Sequence, residues 1–228
     1  MKNKINMFLL LFVLTIGLTG CNDIIKNNNV SQSVCEEAMY QLDTYNDILD
    51  MHYEAIIAEC ENGNYFGNNM STMYMNHYKN KPLENIGYAT IDISDDNVPE
   101  LLIGEVESED RKDWIIYDLY TFIDDKPHHI FSSSNNNRFS LSVDQYDNYI
   151  IEEEKINSAT SVEWHYYTFS GFDLDVFDGI VFDSIKEDEN IWRKIINNEI
   201  ISEQEANRII ANYELNRILP KYIPFSKY

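Results

Sequence analysis

The stretch Asp92-Ile-Ser-Asp-Asp-Asn-Val-Pro-Glu100 sets oxygen-bearing side chains at alternate positions. Hard oxygen donors in that spacing suit Ca²⁺, because a tight turn brings them around one centre. The same side chains serve an acid-rich hairpin loop equally well, by accepting from backbone N–H groups. Other chemistry has less support. The five histidines, His52, His77, His128, His129 and His165, contain no H-E-x-x-H pair. His128 and His129 are adjacent, so in a strand they point to opposite faces and cannot share a metal. No G-x-S-x-G, S-x-x-K or phosphate-cradling glycine loop is present, and Gly numbers only 8. Glycoside hydrolysis needs only two carboxylates, but 39 Asp+Glu single out no pair. Glu152-Glu153-Glu154 would alternate faces and reads as a solvated hairpin edge. Trp164-His165-Tyr166-Tyr167 offers rings on which a sugar could stack, although alternate residues of such a strand usually face the core.

From Asp92 to Gly104 the chain resembles a D-x-D-x-D-G-x-x-E-L-L-I-G pattern. That pattern occurs in strand-flanked loops of integrin-type propeller repeats and in Gram-positive surface lipoproteins of unknown function. The resemblance implies calcium held by Asp92, Ser94, Asp96, the carbonyl of Val98 and Glu100. Two positions depart from it: Ser94 stands where the pattern has an acid, and Asn97 where it has a glycine. Asn is the next most tolerant residue of left-handed backbone, so the turn survives better than the ligand set. Ile103 at position twelve excludes an EF-hand with its bidentate glutamate. Ile116-Tyr-Asp-Leu-Tyr-Thr-Phe, the Asp124-Asp125-Lys turn and Ser202-Glu-Gln-Glu-Ala are similar to the same lipoproteins. The family implies a surface-anchored α+β domain and no particular activity.

At the amino terminus, Lys2 and Lys4 precede an apolar run from Met7 to Leu18 that is too short for a mature transmembrane anchor. Leu18-Thr-Gly-Cys21 resembles the lipobox of bacterial lipoproteins. It implies a signal peptide over 1–20 and a Cys21 carrying a diacylglycerol with palmitate-type chains. Two acyl chains anchor stably where one binds only marginally. Loss of Lys2 and Lys4 leaves 15 Lys+Arg against 39 Asp+Glu, a net charge of −24 instead of −22. Such a surface repels nucleic acid and is compatible with divalent cations or a cationic partner. Cys35 and Cys60 fall near the ends of one expected helix, far beyond disulfide reach, and no C-x-x-C is present.

Residues 21–33 read as the lipidated cysteine and a flexible tether, and residues 34–228 as one domain. Apolar residues recur at helical spacing from Val34 to Glu61, with a Ser33/Glu36 capping box, and a shorter helical piece follows from Asn69 to Tyr78. From Ile86 to Phe182 the period is two, with turn signals at Asp124-Asp125 and Asp144-Gln-Tyr-Asp-Asn148. Ile191, Trp192, Ile195 and Ile196 share a helical face, and Ser202-Glu-Gln-Glu205 opens a further helix. The tail Leu219–Phe225 is apolar and Pro-broken, as an extended strap would be. These signals predict an α+β fold: a long N-terminal helix, a central antiparallel β-meander and C-terminal helices. The expected function is a lipid-anchored, extracytoplasmic, non-catalytic binding module at the cell membrane, with a protein or glycan ligand and calcium as the one implied cofactor. The alternative is a secreted cell-wall or glycan hydrolase using paired carboxylates.

Overall fold

The computed structural model describes residues 44–62, 70–71, 73, 81–106, 114–186 and 189–228, and the account below concerns the compact unit Tyr45–Tyr228. The signal peptide, Cys21, the tether, the stretch 34–43 and most of the 69–78 piece lie outside the described residues. Short strands and tight turns dominate the chain. They are β1 (Ile86–Ile91), β2 (Glu100–Glu105), β3 (Ile116–Ile123), β4 (Lys126–Ser132), β5 (Asn137–Val143) and β6 (Tyr149–Ser158). β7 (Ser161–Phe169), β8 (Leu174–Lys186), β9 (Glu189–Lys194), β10 (Ile200–Ile201), β11 (Arg217–Ile218) and β12 (Ile223–Pro224) follow. All twelve join one antiparallel sheet in the order β10-β9-β8-β7-β6-β5-β3-β2-β1-β12, with β4 on β3 and β11 on β5.

The expected α+β fold is therefore corrected to a fold dominated by a 12-stranded antiparallel sheet. Among the described residues the α-helices are α1 (Asn46–Asn62), α2 (Pro82–Asn85) and α3 (Glu203–Glu214), none of them long. The expected helix through Ile191–Ile196 is replaced by strand β9 and a turn. Its apolar residues fit either period over so short a run. Pairing decides: Trp192 lies opposite Phe182 on one side and Ile201 on the other. Its β-branched and aromatic residues suit a pleated surface.

Local chemistry explains the turns. Asp124 and Asp125 both take left-handed φ, 49° and 58°, the backbone of the type I′ turn that matches strand twist between β3 and β4. Ser202 caps α3, its hydroxyl accepting from Glu205 N at 3.2 Å.

Both faces of the β1–β3 region are covered. On one face α1 lies across the sheet, with Tyr45 edge-on to Phe122 and His52 bonded to the Tyr120 hydroxyl at 2.9 Å. On the other, Leu102 and Leu119 join Phe131, Phe139, Ile151 and Phe169 in the main core. A second cluster forms where Ala206 of α3 packs on Ile180, flanked by Trp164 and Trp192. The tail closes the β1 edge: β12 pairs with β1, Phe225 is fully buried, and Tyr222 lies against Gly104. A Cβ at Gly104 would come within 2.4 Å of the Tyr222 ring, so only glycine admits that close approach.

Candidate functional site

The Asp92–Glu100 loop joins β1 to β2. Asp92 accepts from the N–H groups of Asp96 (3.2 Å) and Asn97 (3.0 Å), and Asp96 accepts from Val98 N at 2.8 Å. Asp95 and Asn97 supply the left-handed residues of the turn, at φ 59° and 68°. Glu100 is fully buried at the start of β2, with Oε2 accepting from Ile93 N (2.7 Å) and Oε1 from the Thr121 hydroxyl (3.2 Å). Burial pushes its carboxyl up to about 7, opposed by those two hydrogen bonds. Ser94 Oγ is buried without a partner, and Val98 enters through its N–H. The five residues implied as calcium ligands are thus close in sequence, but Asp92 and Asp96 turn to the loop's own backbone while Glu100 points into the core. Among the described residues, no group of three or more His, Cys, Asp or Glu is arranged to hold a metal ion.

A cavity of about 260 Å³ lies over β5, β6 and β7. Register builds it. Ser140, Glu152 and Tyr166 form one row across the three strands, and Arg138, Glu154 and Trp164 form the next. Residues two apart on a strand share a face, so both rows look the same way. Glu152 is 3 % exposed; its Oε2 accepts from Arg217 Nε (2.9 Å) on β11 and forms an ion pair with Nη2 at 2.8 Å. Its other oxygen, Oε1, is buried and has no hydrogen-bond partner. Glu153 points to the opposite face, where its carboxylate accepts from the Tyr167 hydroxyl. Tyr166 is held beneath Tyr213, ring centroids 3.5 Å apart, and Trp164 stacks on Trp192 at 5.9 Å. Met73, Ile115, Phe139, Glu153 and the exposed Asn135 complete the lining.

The expectation of a solvated Glu152–Glu154 edge is corrected here, because β6 runs between β5 and β7 in the interior of the sheet. The aromatic run divides: Tyr166 is buried and Trp164 partly exposed, and both line the cavity.

A third polar cluster was not visible in the sequence. Asp118, fully buried on β3, accepts from Ser71 N (2.9 Å) and the Ser132 hydroxyl (2.5 Å). His129 Nε2 meets the same hydroxyl at 2.8 Å. Because Ser132 donates to the carboxylate, it is left as an acceptor toward His129, the reverse of an activated nucleophile. The neighbouring His52 is fully enclosed, and burial pulls it down to about 4, so it stays neutral near pH 7. This cluster ties α1, β3 and β4 together.

No protein-family model, no curated protein and no solved structure matches the chain. The functional reading therefore rests on the chain's own residues.

Proposed function

We propose that this chain is a lipid-anchored, extracytoplasmic binding module without catalysis, with the cavity over β5–β7 as its ligand site. The observation that carries the binding reading is Glu152: a buried carboxylate lining a cavity, half paired to Arg217 and half unpartnered. A hydrolase would need two acids approaching a scissile bond from different sides. The two carboxylates of this face, Glu152 and Glu154, stand on one strand roughly 6.6 Å apart in Cα and project in the same direction. Anchoring is supported by the sequence from Lys2 to Cys21. Among the described residues, no helix is long and apolar enough to cross a membrane.

Two measurements test the reading. Cells producing the Cys21→Ala chain should release it from the membrane fraction or retain an uncleaved precursor. A processed variant that still sedimented with membranes would refute the anchor. Purified full-length protein incubated with wall and storage polysaccharides should liberate no new reducing ends, and their appearance would replace the binder with a hydrolase.

A further inference from the structure

We propose that the cavity takes a single neutral sugar ring of a glycan, with Glu152 Oε1 accepting from a ring hydroxyl and Trp164 forming the apolar wall. This names the ligand class of the site and rests on the binding-module reading. Size limits the ligand first. A volume of about 260 Å³ falls just below the roughly 300 Å³ at which clefts for drug-sized ligands begin, so it suits one ring of a polymer and not a nucleotide-sized cofactor.

Charge limits it next. Glu152, Glu153 and Glu154 line the cavity with Arg138 and Arg217, and two of the acids are engaged, Glu152 by Arg217 and Glu153 by the Tyr167 hydroxyl, so the walls carry both signs. A ligand of net charge meets walls of mixed sign, which attract one part of it and repel another. A hydroxyl both donates and accepts, so vicinal hydroxyls can answer carboxylate oxygens and guanidinium N–H groups together. Charge-assisted bonds of this kind are the strong ones. The chain's net charge of −22 further disfavours anionic polymers, and the neutral ligand is set against a cationic one in the test below.

Rigidity completes the argument. Trp164 is fixed against Trp192, and Glu152 is held by a hydrogen bond and an ion pair from Arg217, so neither need be ordered on binding. Among the described side chains that line the cavity, Glu152 Oε1 is a buried acceptor without a partner, which a donor from the ligand would satisfy. The C–H face of a pyranose buries apolar area on an indole as any flat apolar group does.

The test titrates full-length protein, in a detergent that carries no sugar headgroup, with neutral oligosaccharides: a glucan, a mannan, a galactan and an N-acetylhexosamine tetramer. Free lysine forms the charged arm, and tryptophan fluorescence with ligand-observed NMR reads binding. At least one saccharide should bind saturably, more tightly than lysine. Its affinity should fall about tenfold or more in Glu152→Gln, because a charge-assisted bond is weakened. Asn135→Trp keeps the proposal falsifiable if Glu152→Gln does not fold, since Asn135 is exposed on the cavity wall and packs in no core. It should abolish binding by filling the entrance. Undiminished saccharide binding in Asn135→Trp, no saccharide binding at millimolar concentration, or tighter binding of lysine would each overturn the assignment. Absence of saccharide binding would leave the anchored, non-catalytic reading standing, whereas cleavage of a bound saccharide would remove that reading and keep the pocket.

Discussion

In the β1–β2 loop, Asp92 and Asp96 accept from the loop's own N–H groups and Glu100 from Ile93 N and Thr121, whereas in the β5–β7 cavity Glu152 commits one oxygen to Arg217 and leaves the other unanswered. The loop carries the more suggestive sequence, yet its acids accept from backbone N–H groups and from Thr121. The cavity acids lie in an undistinguished run of glutamates, yet they hold the open acceptor. The difference teaches that a carboxylate's availability follows from the donors around it and not from the density of acids in the chain. A tight turn exposes several N–H groups that its own Asp side chains reach first. The middle of a sheet has its N–H groups already paired in ladders, so a side chain there must find another side chain or a ligand.

The largest test of this contrast is Arg217→Ala, which strands Glu152 in the sheet. Breaking a buried pair by removing one partner costs about 3–5 kcal/mol. Because the Arg217 side chain is 24 % exposed, we expect the lower end, about 3 kcal/mol, read as a lower urea midpoint at constant slope. Adding Glu152→Leu should recover most of the loss. A loss below about 1 kcal/mol for Arg217→Ala would mean that Glu152 finds another donor.

Glu100→Gln tests the loop's inward-facing acid. A carboxyl raised from 4.5 to about 7 binds its proton more tightly in the folded state. Its contribution is therefore fully present below pH 4.5 and is lost as pH rises through 7. At 1.36 kcal/mol per unit that loss is roughly 3 kcal/mol. Glutamine stays neutral and can still accept from Ile93 N, while the Thr121 hydroxyl can reverse to accept from the amide. At pH 8 the variant should be more stable than the wild type by about 2 kcal/mol, once about 1 kcal/mol is allowed for imperfect hydrogen bonding. The advantage should vanish below pH 4.5 in thermal melts across pH. A variant equally stabilised at pH 4 and pH 8 would show that burial does not raise Glu100.

Asp92→Ala should lower stability by about 1 kcal/mol, the usual worth of a carboxylate accepting backbone N–H groups at a turn. The drop should be the same in millimolar Ca²⁺ and in chelator. A calcium-dependent rise in Tm that Asp92→Ala or Asp96→Ala erased would return the loop to metal chemistry. The smallest effect belongs to Asn97→Gly, which relieves a left-handed residue at φ 68° and should stabilise by roughly half a kcal/mol in the same melts.

Much of the strand pattern was legible because hairpin chemistry is local. Asp124-Asp125 turns where its spacing places a turn, and Asp144 binds the N–H groups of Tyr146 and Asn148 within the second turn. The Ile191–Ile196 segment reads as a helix because four apolar residues over six positions satisfy both periods, and only the pairing of Trp192 with Phe182 and Ile201 makes it a strand. The cavity was not legible at all. Nothing in Glu152-Glu153-Glu154 distinguishes an exposed edge from an interior strand, and the distinction needs both β5 and β7 in place.

By itself the sequence determined the turns, the cap of α3, the acidic surface and the expectation of a lipidated Cys21, all of which depend on residues within a few positions of one another or on composition alone. Tertiary structure alone decided the twelve-stranded order, the inward turn of Glu100 onto Thr121 and the meeting of Glu152 with Arg217, 65 residues away. The physical reason is range. Turn and cap energies act through neighbouring N–H groups, whereas the exposure and partners of a strand side chain are set by which strands flank it and what packs on its face.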